Sequence, residues 1–276
     1  MNLDVEDIFN KNVLLPFEKR SRGRVGIQAH QMSLSITAQM MIASFKELLV
    51  ANHSGIYSHH RICVTADFLA IEGYWVANVD FNIDMTNPIG AGGLDQGTEE
   101  ASTWYAIWVI YDVRTGVVSG LFSKSKTNPV MPSGYSKKRR LGWIRNDSVS
   151  NFWPLIYQKG TSVFFCEPMS VLTNGSAEEW ATVSCSSVIP VTAAEVKFSG
   201  LVERLAEATA TLHVCPTPFI ASSDGYIPLE CGTAFGSDKV RGPIEISLDG
   251  NRTFSYNFGV PGAQVSIWAY GYSDPI

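Results

Sequence analysis

The chain has 276 residues, a net charge of −5, 45% hydrophobic and 11% aromatic residues, and only 17% charged ones. That composition excludes a disordered chain, which is poor in apolar residues and rich in charge, and a protein that holds nucleic acid through overall charge. Sparse charge beside abundant aromatics suits a protein that commits surface to partners.

Residues 1–24 mix charge and apolar groups without a period and break at Gly23 and Gly26. They read as an arm within an N-terminal attachment region, 1–60. Acids come early and no apolar run precedes a small-residue cleavage site, so no secretory signal is expected. The most apolar run, Trp104–Tyr111, falls far short of the ~18 residues a membrane helix needs, so no membrane insertion is expected. Over 33–50, Met40, Met41, Phe45, Leu48 and Leu49 recur at gaps of three and four and predict a short helix, after an opening alternation at Leu34, Ile36 and Ala38.

Beyond residue 60 the period becomes two. Ile62, Val64 and Ala66 alternate with polar partners, and Trp75, Ala77, Val79, Phe81 and Ile83 do the same. Residues 90–102 read as a loop. WYAIWVIYD and VVSGLFS read as strands joined by Val113–Gly116, a turn closed by a left-handed Gly. Strands are also predicted at WPLIYQ, SVFFCEP, ATVSCSSVIPV and QVSIWAYGY, with turns at Asn174-Gly175 and Asp224-Gly225. IEISL and NRTFSYNF flank Asp249-Gly250 and predict a hairpin; a short helix is predicted near 200–207. The expected fold is all-β, with β-sandwich, jelly-roll-like lobes at 61–159 and 160–276, an N-terminal arm and a short helix.

Chemical signatures are sparse. There is no G-x-S-x-G and no H-E-x-x-H, and the glycine-rich 90–97 and 232–239 stretches lack phosphate-loop spacing. Cys63, Cys166, Cys185, Cys215 and Cys231 form no CxxC pair and read as buried free thiols. His59-His60, adjacent in sequence, are poorly placed to chelate one metal. No metal or cofactor is expected. Sugar cleavage would need two carboxyls roughly 5–10 Å apart from different elements; Glu99-Glu100 and Glu178-Glu179 are merely neighbours.

One feature of charge stands out. Lys124, Lys126, Lys137, Lys138, Arg139, Arg140 and Arg145 fall in one stretch with no acid. Lys137, Lys138, Arg139, Arg140 and Arg145 are the candidate basic interface patch. Three readings compete: a nucleic-acid grip helped by nearby aromatics, a targeting address, and a strand whose charges meet acids such as those at 95–100 within the fold or on a neighbour. In a strand, Lys138 and Arg140 point one way and Lys137, Arg139 and Leu141 the other.

Residues 62–158 as a block resemble bacteriophage tail-fibre and related virion structural proteins. The carrying residues come in fixed order. Leu94-Asp95 and Gly97 precede Thr103-Trp104-Tyr105. Gly120-Leu121 and Ser123 follow the hairpin. Pro129, Pro132 and Gly134-Tyr135 lead to Lys138, Arg139 and Arg140. Gly142, Arg145-Asn146-Asp147 and Asn151-Phe152 close the block. Val64–Asp67 upstream and the terminal WAYGY strand share the likeness. The resemblance implies a non-catalytic virion component, made in a host cytoplasm: a homotrimeric tail fibre or receptor-binding protein that meets other virion proteins and a host-surface glycan or protein. It implies that KKRR is a strand after a Pro/Gly turn, so nucleic-acid binding is not expected. A capsid decoration, collar or tail-associated protein is the alternative, and a glycan depolymerase a third. Trp75, Tyr226, Tyr270 and Tyr272 are the candidate contact residues.

Overall fold

The computed structural model describes residues 45–54, 59–153, 156–204, 210–217, 227–231, 239–258 and 261–276. These form strands β1 (Phe45–Lys46), β2 (Leu49–Asn52), β3 (Arg61–Ile71), β4 (Tyr74–Asp84), β5 (Trp104–Asp112), β6 (Val117–Ser123), β7 (Lys137–Arg145) and β8 (Ile156–Lys159). They continue as β9 (Ser162–Gly175), β10 (Ala181–Ser184), β11 (Glu195–Arg204), β12 (Ala210–Pro216), β13 (Ile227–Cys231), β14 (Lys239–Ser247), β15 (Thr253–Asn257) and β16 (Ala263–Ser273). The chain is all-β: no helix occurs among the described residues.

Both helix expectations meet strands where they can be compared. Phe45–Asn52 is two short strands on β3, interrupted at Glu47 (φ 50°), and Glu195–Arg204 is one strand. In each segment the alternate residues find a neighbouring strand, and that pairing outweighs a weak helical spacing. Residues 33–44, 205–207 and the turn at Asp224-Gly225 lie outside the described residues.

Three antiparallel sheets result. The largest has nine strands, running β4-β3-β2-β8-β9-β16-β11-β14, with β1 beside β2 on β3. The others are β6-β5-β7 and β10-β15-β12-β13. β3 and β4 join through Glu72-Gly73, both at positive φ (44° and 88°), the backbone that a two-residue hairpin needs. β5 and β6 pair across the expected turn, which Gly116 (φ 75°) closes by donating to Asp112 O at 2.9 Å.

The small sheets bury the inner side of the large one. Tyr105, Ile107, Phe122 and Ile144 join Ile62, Val64 and Ile83; Leu212, Val214 and Phe254 join Val196, Phe198 and Ile267. Burying each such aliphatic or aromatic side chain stabilises by about 1.5–3 kcal/mol. Contact with β4 is close enough that a Cβ at Gly120 would overlap the Ile83 side chain. The expected boundary at Lys159-Gly160 falls at the β8–β9 turn, and both strands belong to the large sheet. Residues Phe45–Ile276 form one compact unit.

The hairpin predicted at Asp249-Gly250 is not one. β14 pairs with β11, while β15 pairs with β10 and β12, so the turn carries the chain from one sheet to the facing one. Ile244 and Ile246 on one strand and Phe254 and Tyr256 on the other are buried in the same core. Alternation is identical in a hairpin and in such an arch. Asp249 Oδ1 caps the turn, accepting from the N–H of Asn251 (3.1 Å) and Thr253 (3.2 Å). The strand predicted over 181–191 stops at Ser184, where Cys185 opens a turn that accepts the Val188 and Ile189 N–H groups.

β7 settles the basic run. A bulge opposite Ile107/Trp108 puts Leu141 and Ile144 in the main core, while Trp143 lies 2% exposed in a second cluster with Trp108, Ile110 and Leu121. Arg139 is buried and donates to Ala70 O (2.9 Å) and Ile276 O (3.3 Å). Arg140 pairs with Asp274, whose side chain is fully buried, and donates to Pro275 O at 2.7 Å. Thr192 Oγ1 donates to Asp274 Oδ1 (2.7 Å) and accepts from Trp143 Nε1 (2.7 Å). Arg139 and Arg140 thus clasp residues 274–276. Breaking a buried pair strands one charge, so Arg140→Ala is expected to cost about 3–5 kcal/mol in urea unfolding. Lys137→Ala and Lys138→Ala are each expected to stay within about 0.5 kcal/mol.

Candidate recognition face

The strand period that fills the core also builds an outer face. On β9, Val163 and Phe165 are buried while Phe164 and Cys166 between and beyond them are exposed. On β11, Val196 and Phe198 point inward and Lys197 outward; on β14, Ile244 and Ile246 point inward and Arg241, Pro243 and Glu245 outward. Register brings Tyr157, Phe164, Gly271, Lys197 and Glu245 into one row across five strands. Tyr157 is 49% and Phe164 38% exposed. Gly271 is required here: a Cβ would strike Val163 O, and the Phe164 ring fills the space above it.

Cations lie over two rings of this face. Lys197 Nζ is 4.6 Å from the Phe164 centroid, and Arg241 Cζ is 5.0 Å from that of Trp268. Each contact is worth about 0.5–1 kcal/mol at an exposed site. The sheet edges, by contrast, are guarded. β14 carries Lys239, Arg241 and Pro243, and β4 carries Asp80 and the left-handed Asn78 (φ 52°). Such groups oppose extension of the sheet by a further strand.

The four aromatic residues singled out from sequence separate. Tyr270 is half-buried on this face, at a bulge where β16 has one more residue than β11; burial, with Glu245 beside it, pushes its phenol up. Trp75 is half-buried on β4 and packs on Phe68 at 4.7 Å, with its indole N–H buried and unbonded. Tyr272 is fully buried against Phe165, so it is a core residue and not a contact residue. Tyr226 lies outside the described residues. The five cations do not form one patch: Lys137 sits over Tyr74 (5.4 Å), Lys138 donates to Asn128 (2.6 Å), Arg139 and Arg140 clasp 274–276, and Arg145 stacks on Trp153 (4.3 Å). Tyr157, Phe164, Trp268 and the cations Lys197 and Arg241, none of them among the residues singled out from sequence, make up the face. On β16 the polar half of the alternation, Gln264 and Ser266, marks the outward side that Trp268 continues, whereas Val163-Phe164-Phe165 is apolar throughout and hides which ring faces out.

A second polar cluster surrounds Asp84, 5% exposed at the end of β4. Oδ1 accepts from Thr86 N (2.9 Å) and Thr86 Oγ1 (2.7 Å) and lies 2.8 Å from His60 Nδ1; Oδ2 accepts from Arg61 Nε (2.9 Å) and Nη2 (2.7 Å). Burial alone would raise this carboxyl, but bonds from Thr86, Arg61 and His60 outweigh it and hold it well below the ordinary range. With five polar groups around it, Asp84 anchors the β3–β4 end rather than offering a free base. Among the described residues, no group of three or more His, Cys, Asp or Glu is placed to hold a metal ion. No family model matches the chain, and no curated protein matches it.

The thiols differ more than expected. Cys185 and Cys215 are buried, Cys63 is half-buried, and Cys166 is exposed on the face. Burial pushes the Cys185 thiol up to about 12. In native protein, Ellman's reagent is expected to label Cys166 quickly and Cys185 only after denaturation. Asp84 gives a pH prediction. Its folded pKa lies below the unfolded value near ~3.9, so its stabilisation is present above that pH and lost as pH falls through the folded value. The stability gap between wild type and Asp84→Asn should therefore shrink as thermal melts are moved from pH 6 toward pH 2.

Proposed function

We propose that the chain is a non-enzymatic bacteriophage virion structural protein, a trimeric tail fibre or receptor-binding protein that acts by assembly and by recognition of the host surface. The observation that carries the recognition half is the row Tyr157–Phe164–Gly271–Lys197: exposed rings and a cation held flat on a rigid sheet whose edges are blunted. Rigid elements position contact groups better than loops do. Aromatic rings supply contact area at small entropic cost, and in a closed trimer three weak contacts act together. The ordered block at 62–158 supplies the virion half of the reading.

The alternative is a decoration, collar or tail-associated protein. It is favoured by the apolar character of Phe164 and Tyr157, which also suits a protein partner. Light scattering after size exclusion, followed by host-cell binding of wild type and a Phe164→Ala/Trp268→Ala variant, separates the two. A trimer whose cell binding falls at least tenfold in the variant supports the receptor-binding reading. A monomer that ignores host cells and binds purified particles supports the decoration reading. Binding unchanged in the variant removes this face from the proposal, and unchanged binding in Trp75→Ala and Tyr270→Ala removes those residues.

A further inference from the structure

Loop 96–103 is held against the end of β7 by a small set of bonds. Ser102 N donates to Asp147 O (2.7 Å) and Asn146 N to Thr103 O (2.9 Å). At the centre is Asn146, 0% exposed. Its Nδ2 donates to Glu99 Oε1 (2.8 Å) and to Glu100 O (3.0 Å). Those two acceptors fix which side-chain atom is the nitrogen, since an oxygen there would face two oxygens. Asn146 Oδ1 is consequently buried with no partner. A buried orphan acceptor is costly, and native structures rarely keep one without reason.

We propose that Glu99 and Asn146 form a proton-operated latch: a proton taken from solvent by the Glu99 carboxylate gives it the O–H that Asn146 Oδ1 lacks, making a reciprocal acid–amide pair that tightens loop 96–103 onto β7. The ionised carboxylate only accepts, so one of the two bonds is missing. The protonated acid both accepts and donates, so both are made. Surroundings favour the neutral form. Burial pushes the Glu99 carboxyl up, and Asp84 adds to this, while the Asn146 bond and His60 oppose it. The other charged neighbours are committed elsewhere: Asp84 to Arg61, and Glu100 to Lys124 at 2.7 Å. The Tyr105 hydroxyl accepts from Glu100 N at 2.7 Å and titrates far above this range.

The sign follows from linkage. A carboxyl whose folded pKa is raised contributes stability that is full below the unfolded pKa and lost as pH rises through the folded one. Glu99→Gln carries the donor and the acceptor at every pH. It is expected to melt above wild type at pH 8 and to converge with it near pH 4.5, since the Asp84 contribution is common to both proteins. The gain should vanish in an Asn146→Ala background. In unmodified protein, hydrogen-exchange protection of the Ser102 and Asn146 amides should rise about fivefold between pH 8 and pH 5, the gain of one neutral bond. A Glu99→Gln protein less stable than wild type at pH 8, a gap independent of pH, or protection that does not rise on acidification would overturn the latch.

Discussion

The inner face of the nine-stranded sheet has to be covered, because its strands each set an apolar residue inward at every second position. Two small sheets share that work. The β6-β5-β7 sheet packs toward the β3–β4 end and the β10-β15-β12-β13 sheet toward the β11–β14 end. The remaining features follow from this division. The chain must pass from the large sheet to a facing small one, which is why Asp249-Gly250 is an arch. Strands must approach closely where the sheets meet, which is why Gly120 has no side chain.

Polar groups close the ends that apolar packing cannot. Asp84 collects donors from Arg61, Thr86 and His60 where β4 leaves the sheet. Asp274 collects Arg140 and Thr192 where the chain leaves β16, and Asn146 ties loop 96–103 to β7. Each is a buried group with several bonds, so removal of one partner exposes the others to an unpaid desolvation cost. The basic run therefore belongs to the packing of the fold. Its charges are distributed over a Tyr ring, an Asn, backbone carbonyls and a buried carboxylate, and no single side of the molecule collects them.

The outer face is what the closed inner face leaves behind. The same alternation that buries Val163, Phe165 and Phe198 leaves Phe164 and Lys197 in view. Its row exists only through pairing between strands distant in sequence: Tyr157 and Phe164 are near neighbours, but Gly271 and Lys197 come from β16 and β11. Reading aromatics one by one could not assemble it. Tyr270 and Tyr272 flank the same glycine, yet a bulge leaves Tyr270 at the face and Tyr272 fully buried.

The sequence by itself determined the strand class, most strand positions and, in clean alternating runs such as Ile62-Val64-Ala66 and Phe254-Tyr256-Phe258, the side that is buried, because a period of two is a local property of the pleated backbone. It also marked the Val113–Gly116 turn, where a left-handed position calls for Gly. Only the tertiary structure decided which strands pair, that residues 244–258 arch between sheets, that Arg140 finds Asp274, and that Phe164 lies beside Lys197. Partners so far apart along the chain leave no local periodicity: register and bulges choose them, and these are settled by the fit of the whole core.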